Sequence, residues 1–181
     1  MTIVDIKQLN ETQLRQAAQM LTDELPQGWE TLADAEEEIR ELMAEDADTS
    51  LIAAMDNGQV IGWCGIMPEY DGRVCELHPL VVRRDYQRKG VGQKLMERIE
   101  QIARERGGLT MYLGADDERP VPETSLANVD LYDNLLKRIA EFEPGTHQSA
   151  FYLKIGYRIV GVLPDANGIG RPDIFMAKRL Y

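Results

Sequence analysis

Apolar residues along this chain recur at helical spacing in some stretches and alternate or run almost unbroken in others, with turn residues marking the boundaries. Asn10 and Gln13 have the spacing of a capping box, and Leu14, Ala17, Ala18, Leu21 and Leu25 follow on one helical face until Pro26 and Gly28 end the pattern. Thr31 is placed to cap a second helix whose buried stripe is Leu32, Ala35, Ile39, Leu42 and Met43, its glutamates facing water. The runs 51–55 and 59–67 flank Asn57-Gly58, the dipeptide of a tight hairpin turn, and Asp71-Gly72 turns the chain again into the run 74–82. Short connections join antiparallel neighbours, so three consecutive antiparallel strands are predicted. From Gly90 to Arg106 an amphipathic helix carries Val91, Leu95, Met96, Ile99, Ile102 and Ala103 on one side and stops at Gly107-Gly108. A strand predicted at 109–114 must lie parallel to 74–82, because a helical crossover joins them. Beyond an acidic loop over 115–130, helices are expected around 131–142 and 149–155, and strands near 157–163 and 174–179. The pattern is that of a mixed α/β chain of the α+β kind, with a mostly antiparallel sheet.

Composition narrows the class. The 181 residues, 44% hydrophobic and 28% charged, suit one globular domain over 1–181, with no repeat or linker to divide it. No apolar run approaches the ~20 residues that cross a bilayer, and the opening residues lack the layout of a signal peptide, so a cytoplasmic protein without a membrane partner is expected. Cys64, Cys75, His78 and His147 match no zinc spacing, and no metal is expected. A net charge of −11 argues against a nucleic-acid partner, whose phosphates need a basic face. Most of that charge is local. Between 21 and 50 stand Asp23, Glu24, Glu30, Asp34, Glu36, Glu37, Glu38, Glu41, Glu45, Asp46 and Asp48 against the single base Arg40, either a solvated helix face or an acidic wall for a cationic ligand.

One segment runs against this balance. Gln87-Arg88-Lys89-Gly90-Val91-Gly92 stands between the strand ending at Val82 and the helix running to Arg106. The first amides of a helix lack intrahelical partners and the helix dipole adds positive potential there. Gly90 and Gly92 remove side chains that would keep a pyrophosphate from those amides, and Arg83, Arg84, Arg88 and Lys89 outnumber Asp85. Neither the Lys-Ser or Lys-Thr of a P-loop nor a G-x-G-x-x-G is present. The segment resembles the Gln/Arg-x-x-Gly-x-Gly/Ala loop of the GNAT N-acetyltransferases, and Phe151-Tyr152-Leu153-Lys154-Ile155-Gly156-Tyr157 resembles a later motif of that family. The resemblance implies the GNAT fold, a twisted sheet with a splayed parallel pair, and acetyl-CoA as cosubstrate held by Leu80, Val81, Val82, Gln87, Arg88, Lys89, Gly90, Val91, Gly92 and Tyr152. Pro79 supports it independently, since a proline within a strand favours a bulge or a break in pairing. A gap beside 74–82 would expose the main chain of Leu80 and Val82, which in GNAT enzymes meets the pantetheine arm.

An amine attacks a thioester only as the free base, so a base or a proton-conducting water is needed. Glu76 and His78, two residues apart on one strand, share a face and are the candidates, with Glu76 also able to hold the ammonium. The Leu80 amide, left free by a distorted strand, is the candidate oxyanion donor. Tyr152, four residues before Gly156, stands where GNAT enzymes often place a tyrosine against the coenzyme sulfur, which implies that it positions or protonates the leaving thiolate.

Segments outside the coenzyme motif narrow the resemblance. Glu76 to Val82, Tyr112 to Asp117, Asp130 to Tyr132, Phe151-Tyr152, Gly161 to Gly168 and Arg171 to Ile174 look like segments of the aminoglycoside 6'-N-acetyltransferases, over about 60–180. Two departures lie on the acceptor side: Ala115 stands where the similar segments have threonine, and Gln148-Ser149-Ala150 replaces Pro-Tyr-Glu after His147. The resemblance implies direct transfer to a polycationic amine, bound by Glu76, Asp116 and Asp117. The acids at 116, 117, 118, 123 and 130, against Arg119 alone, agree with a cationic acceptor. The alternatives are a housekeeping GNAT that acetylates a polyamine or another small amine, and a coenzyme-binding sensor without turnover. Enzymes of this kind are often homodimers, and an exposed terminal strand over 174–180 is the expected pairing edge.

Overall fold

The computed structural model describes residues 1–44, 47–119 and 121–181; Glu45 and Asp46 of the acidic run lie outside the described residues. The chain forms two compact units, Met1–Met111 with Leu180–Tyr181, and Tyr112–Arg179.

In the first unit, strands β1 (Thr2–Asp5), β2 (Ser50–Asp56), β3 (Gln59–Glu69) and β4 (Val74–Val82) pair antiparallel in that order. The hairpin turn falls at Asn57 and Gly58, both at positive φ as the dipeptide requires. β1 has no counterpart in the sequence reading, because four residues show too little alternation to predict. Helix α1 (Glu11–Glu24) opens on a complete capping box between Asn10 and Gln13, and α2 (Leu32–Leu42) on one between Thr31 and Asp34. Both helices pack into a core with Trp63, which is fully buried and donates its indole N–H to the Ala17 carbonyl at 3.0 Å. Helix α3 (Val91–Glu105) takes the opposite face: at Gly62, next to Trp63 on β3, a Cβ would meet Leu95 Cδ1 at 3.1 Å and Val91 Cγ1 at 3.2 Å. Coverage of both faces explains why β2 and β3 read as nearly continuous apolar runs. α3 ends as predicted, in a left-handed Gly107 whose amide bonds the Arg104 carbonyl while the Gly108 amide bonds that of Ala103. The amides of Leu109 and Thr110 then bond the Arg73 carbonyl, so β5 (Thr110–Asp116) starts beside the start of β4 and runs parallel to it.

The second unit holds the rest of β5, the short helices α4 (Leu135–Ala140) and α5 (Ser149–Lys154), and the antiparallel pair β6 (Arg158–Leu163) and β7 (Asp173–Arg179). α4 is half the predicted length, since Asn134 before it is left-handed and cannot continue a helix. Along the sheet the strand order is β1-β2-β3-β4-β5-β7-β6, a mixed α/β fold with one parallel pair. This corrects the expected pairing edge: β7 is flanked on both sides and Ile174 and Met176 are fully buried, so the edge strands are β1 and β6. Among the described residues no helix is long and apolar enough to cross a membrane.

Candidate active site

The break in β4 lies where Pro79 predicts it. Between the pairs Cys64↔Leu80 and Ile66↔Leu77 the single residue Gly65 faces both His78 and Pro79, which are joined by a cis peptide bond. Only glycine fits there, because a Cβ at Gly65 would lie 2.7 Å from the His78 carbonyl oxygen. Glu76, His78, Leu80 and Val82 alternate as the half-buried positions of β4, while Cys75, Leu77 and Val81 are buried beneath them. Glu76 and His78 therefore share a face, and Val81 belongs to the layer below it rather than to that face.

His78 has partners the sequence did not suggest. Its Nε2 lies 3.1 Å from Glu38 Oε1 of α2, its ring stacks at a tilt on Trp29 with centroids 5.8 Å apart, and Trp29 Nε1 donates to Glu38 Oε2 at 3.4 Å. The hydrogen bond from His78 holds the Glu38 carboxyl below its ordinary range, against the opposing effect of partial burial. Glu38 stands three residues after Ala35 and four before Leu42, both buried, so its place on the border of the apolar stripe was the available signal.

After β4 the chain makes one 3-10 turn, Arg84–Tyr86, then passes Arg88 at φ 58° and Gly90 at φ 85° into α3. α1 and α2 each carry a side-chain cap; α3 carries none. Lys94 is the first amide to bond within the helix, to the Gly90 carbonyl, which leaves Val91, Gly92 and Gln93 with amide hydrogens unpartnered among the described residues. A Cβ on Gly90 would meet nothing within 4 Å, so glycine is needed there for its backbone conformation rather than for space.

The loop is clamped from behind. Gln87 Nε2 donates to the Val82 carbonyl at 2.9 Å and to Glu24 Oε2 at 3.3 Å, and Glu24 Oε1 accepts from the Arg84 amide at 2.8 Å. Gln87 thus shapes the loop, and the Val82 carbonyl is already engaged. Glu24 also cancels one of the local positive charges, since Arg84 Nε is 3.6 Å from it, and Arg83 is tied to Asp85 at 2.7 Å. Arg88 and Lys89 make no ion pair within 4 Å among the described residues; Lys89 lies 5.4 Å over the Tyr86 ring and feels the Asp85 carboxylate at longer range. Free amides, a left-handed glycine and two bases outside any close ion pair are a donor set that fits a pyrophosphate.

In the second unit Tyr152 is 5% exposed on α5 and packs edge-on against Phe151 and Tyr157, at 5.2 and 5.6 Å between centroids. Gly156, at φ 100°, closes α5: the Gly156 amide bonds the Leu153 carbonyl and the Tyr157 amide that of Tyr152. The two adjacent aspartates separate in role. Asp116 is exposed; its carboxylate accepts from Asn167 and its carbonyl lies 2.9 Å from His147 Nε2. Asp117 is 1% exposed and its carboxylate accepts the amides of Glu123 at 3.3 Å and Thr124 at 2.8 Å. The expectation that Asp117 faces a cationic acceptor is therefore corrected: its charge is spent inside the 117–124 loop. Beside Asp116, partial burial and the neighbouring carboxylate raise the Glu118 pKa. Among the described residues no group of three or more His, Cys, Asp or Glu is placed to hold a metal ion.

Comparison with known proteins follows this geometry. The Acetyltransferase (GNAT) family model matches residues 14–133. Comparison with curated proteins gives no match. Among solved structures, an aminoglycoside 6'-N-acetyltransferase complexed with coenzyme A superposes with a TM-score of 0.92 at 35% identity, covering 100% of this chain and 98% of the other. The aminoglycoside 6'-N-acetyltransferase from Enterococcus faecium gives 0.90 at 35% identity, and an aminoglycoside 6'-acetyltransferase type Ii gives 0.77 at 31%, each with the same coverage. With a bulged β4, an uncapped α3 behind a basic glycine loop, and a family match spanning more than half of its length, the chain belongs to the GNAT acetyltransferase family.

Proposed function

We propose that this acetyltransferase transfers the acetyl group of acetyl-CoA to the 6'-amino group of aminoglycosides, by direct attack in a ternary complex. The observation that carries the reading is the likeness to aminoglycoside 6'-N-acetyltransferases over the whole chain, far beyond the coenzyme loop. The cosubstrate supplies acetyl as an activated thioester. The amides of Val91, Gly92 and Gln93, with Arg88 and Lys89, hold its pyrophosphate, and the main chain of Leu80, Val81 and Val82 guides the arm that follows. The Leu80 amide donates to the acetyl oxygen as negative charge grows on it. Glu76 holds the incoming ammonium, with His78 on the same face to share its proton. Tyr152 positions the departing sulfur; with ordinary pKa values of ~10 for a phenol and ~8.5 for a thiol, stabilising the thiolate outweighs donating a proton to it. Asp116, exposed and next to Glu118, attracts the other ammonium groups.

The test is a paired assay of aminoglycosides bearing a 6'-amine or a 6'-hydroxyl, with thiol release as the signal and NMR of the product as the site assignment. The 6'-amine compound is expected to be acetylated at that nitrogen and its hydroxyl counterpart to be a poor substrate. KM for the antibiotic should rise with ionic strength, because partly exposed charge pairs are screened over about 8 Å at physiological salt. Equal activity on both compounds, acetylation elsewhere, or turnover of a simple polyamine alone would replace this reading with that of a housekeeping amine acetyltransferase.

A further inference from the structure

Outside the coenzyme loop, one cluster in the first unit joins a titratable ring to two residues forty or more positions away in sequence. Glu38, Trp29 and His78 come together from α2, the loop before it and β4. Glu38 is only partly exposed, with 24% of its side chain accessible, and both of its oxygens are engaged: Oε1 by His78 Nε2, Oε2 by Trp29 Nε1. An ionised carboxylate can only accept a hydrogen bond, so the proton between Glu38 and His78 belongs to Nε2. A neutral imidazole carrying its proton on Nε2 has its lone pair on Nδ1. Among the described residues nothing is hydrogen-bonded to Nδ1, and 35% of the His78 side chain is accessible.

We propose that Glu38 is a positioning residue: it fixes His78 as the Nε2–H tautomer and so leaves Nδ1 as the proton acceptor on the face of β4 that carries Glu76. The inference rests on the acetyl-transfer reading and deepens it by dividing the labour between two neighbouring groups. Glu76 holds the acceptor's ammonium by charge. The ammonium gives one proton to His78 Nδ1, its nitrogen then bonds the acetyl carbon, the carbon–sulfur bond breaks, the thiolate leaves with the electron pair, and the nitrogen loses its second proton to solvent as the amide forms. The imidazolium returns its proton to water, so one proton is released for each ammonium acetylated once the thiolate is protonated from solvent or Tyr152. Glu38 keeps the imidazolium paired in the interval, as a carboxylate does behind a catalytic histidine. The depressed carboxyl of Glu38 agrees with a group that stays ionised throughout. Trp29 limits rotation of both partners, since its ring lies on the imidazole and its N–H holds the carboxylate.

The tautomer can be read without any substrate. His78 and His147 are the only histidines, so ring-nitrogen NMR of the ¹⁵N-labelled free protein, recorded above the imidazole titration, gives two spectra that a His78→Asn variant assigns. Wild-type His78 is expected to show a protonated Nε2 and an unprotonated Nδ1. In Glu38→Ala the two tautomers should mix, and in Glu38→Gln, whose side-chain oxygen can still accept from Nε2, the wild-type tautomer should persist. With whichever amine the enzyme acetylates, Glu38→Ala should lower kcat by at least about tenfold with KM for acetyl-CoA unchanged, and Glu38→Gln should recover part of the loss. A protonated Nδ1 in wild type, or a tautomer unmoved in Glu38→Ala, overturns the proposal, as does a lower Tm with kcat intact. If Glu38→Ala fails to fold, the wild-type and Glu38→Gln spectra decide. Failure of every aminoglycoside as a substrate would sink the acceptor assignment and leave the tautomer measurement standing.

Discussion

Replacing Gly90 by alanine isolates how the α3 amides are presented. Because no atom lies within 4 Å of the position a Cβ would take, the substitution adds no clash, and its whole effect comes from holding an L-residue at φ 85°. That conformation costs about 1–2 kcal/mol. In the free variant the turn can relax between the clamp at Gln87 and the first turn of α3, but binding a pyrophosphate requires the amides of Val91, Gly92 and Gln93 to converge again. If the turn relaxes, the cost is charged to binding and the coenzyme Kd rises roughly 5- to 30-fold. If it does not, the same energy appears as lost stability, a Tm lower by about 2–8 °C for a chain of this size. Gly90→Asn should fall between alanine and wild type, since asparagine tolerates the left-handed region better. Titration calorimetry with coenzyme A, run beside thermal melts, measures both parts. A Gly90→Ala protein equal to wild type in Kd and in Tm would show that the left-handed turn is dispensable and that the amides are not what holds the ligand.

Glu76→Gln is expected to lower kcat/KM for the amine by about 10²-fold or more at neutral pH while coenzyme affinity, measured by calorimetry, stays unchanged. Tyr152→Phe keeps the ring contacts with Phe151 and Tyr157 and should slow single-turnover acetyl transfer; unchanged single-turnover rates would reduce Tyr152 to packing. Asp117→Asn should destabilise the protein by about 1–3 kcal/mol, because two loop amides lose a charged acceptor. Asp116→Asn should instead raise KM for a polycationic amine with little change in Tm, and denaturant titrations beside initial-rate kinetics separate the two aspartates. Glu38, whose carboxyl lies below the ordinary range in the folded chain, contributes stability that is fully present above the unfolded glutamate pKa of about 4.3 and is lost as pH falls through the folded value. The Tm difference between wild type and Glu38→Gln should therefore shrink in acid, a trend that melts between pH 3 and 7 would reveal.

Local order in this protein is written in short-range pattern. The capping boxes at Asn10 and Thr31, the hairpin at Asn57-Gly58, the end of α3 at Gly107 and the bulge at Pro79 each depend on residues within a few positions of one another, so spacing alone identifies them. The candidate pyrophosphate loop is legible for the same reason: glycines, bases and a helix start are contiguous. What spacing cannot convey is which distant group a side chain meets. Asp116 and Asp117 look alike in sequence, yet Asp117 is turned onto the amides of Glu123 and Thr124 while Asp116 stays at the surface, because strand alternation sends neighbours to opposite sides. Glu24 and Glu38 read as two more acids of a solvated run, and only packing of α1 and α2 within the first unit brings one to the Arg84 amide and the other to His78. The last strand shows the same limit, for β7 is predictable as a strand but its flanking by β5 and β6 is a matter of sheet order. Hydrophobic period and turn chemistry determine the elements and the candidate anion-binding loop, whereas the orientation and accessibility of the candidate site groups follow from tertiary contacts, those of Glu24 and Glu38 across forty or more residues, which packing selects and no local pattern encodes.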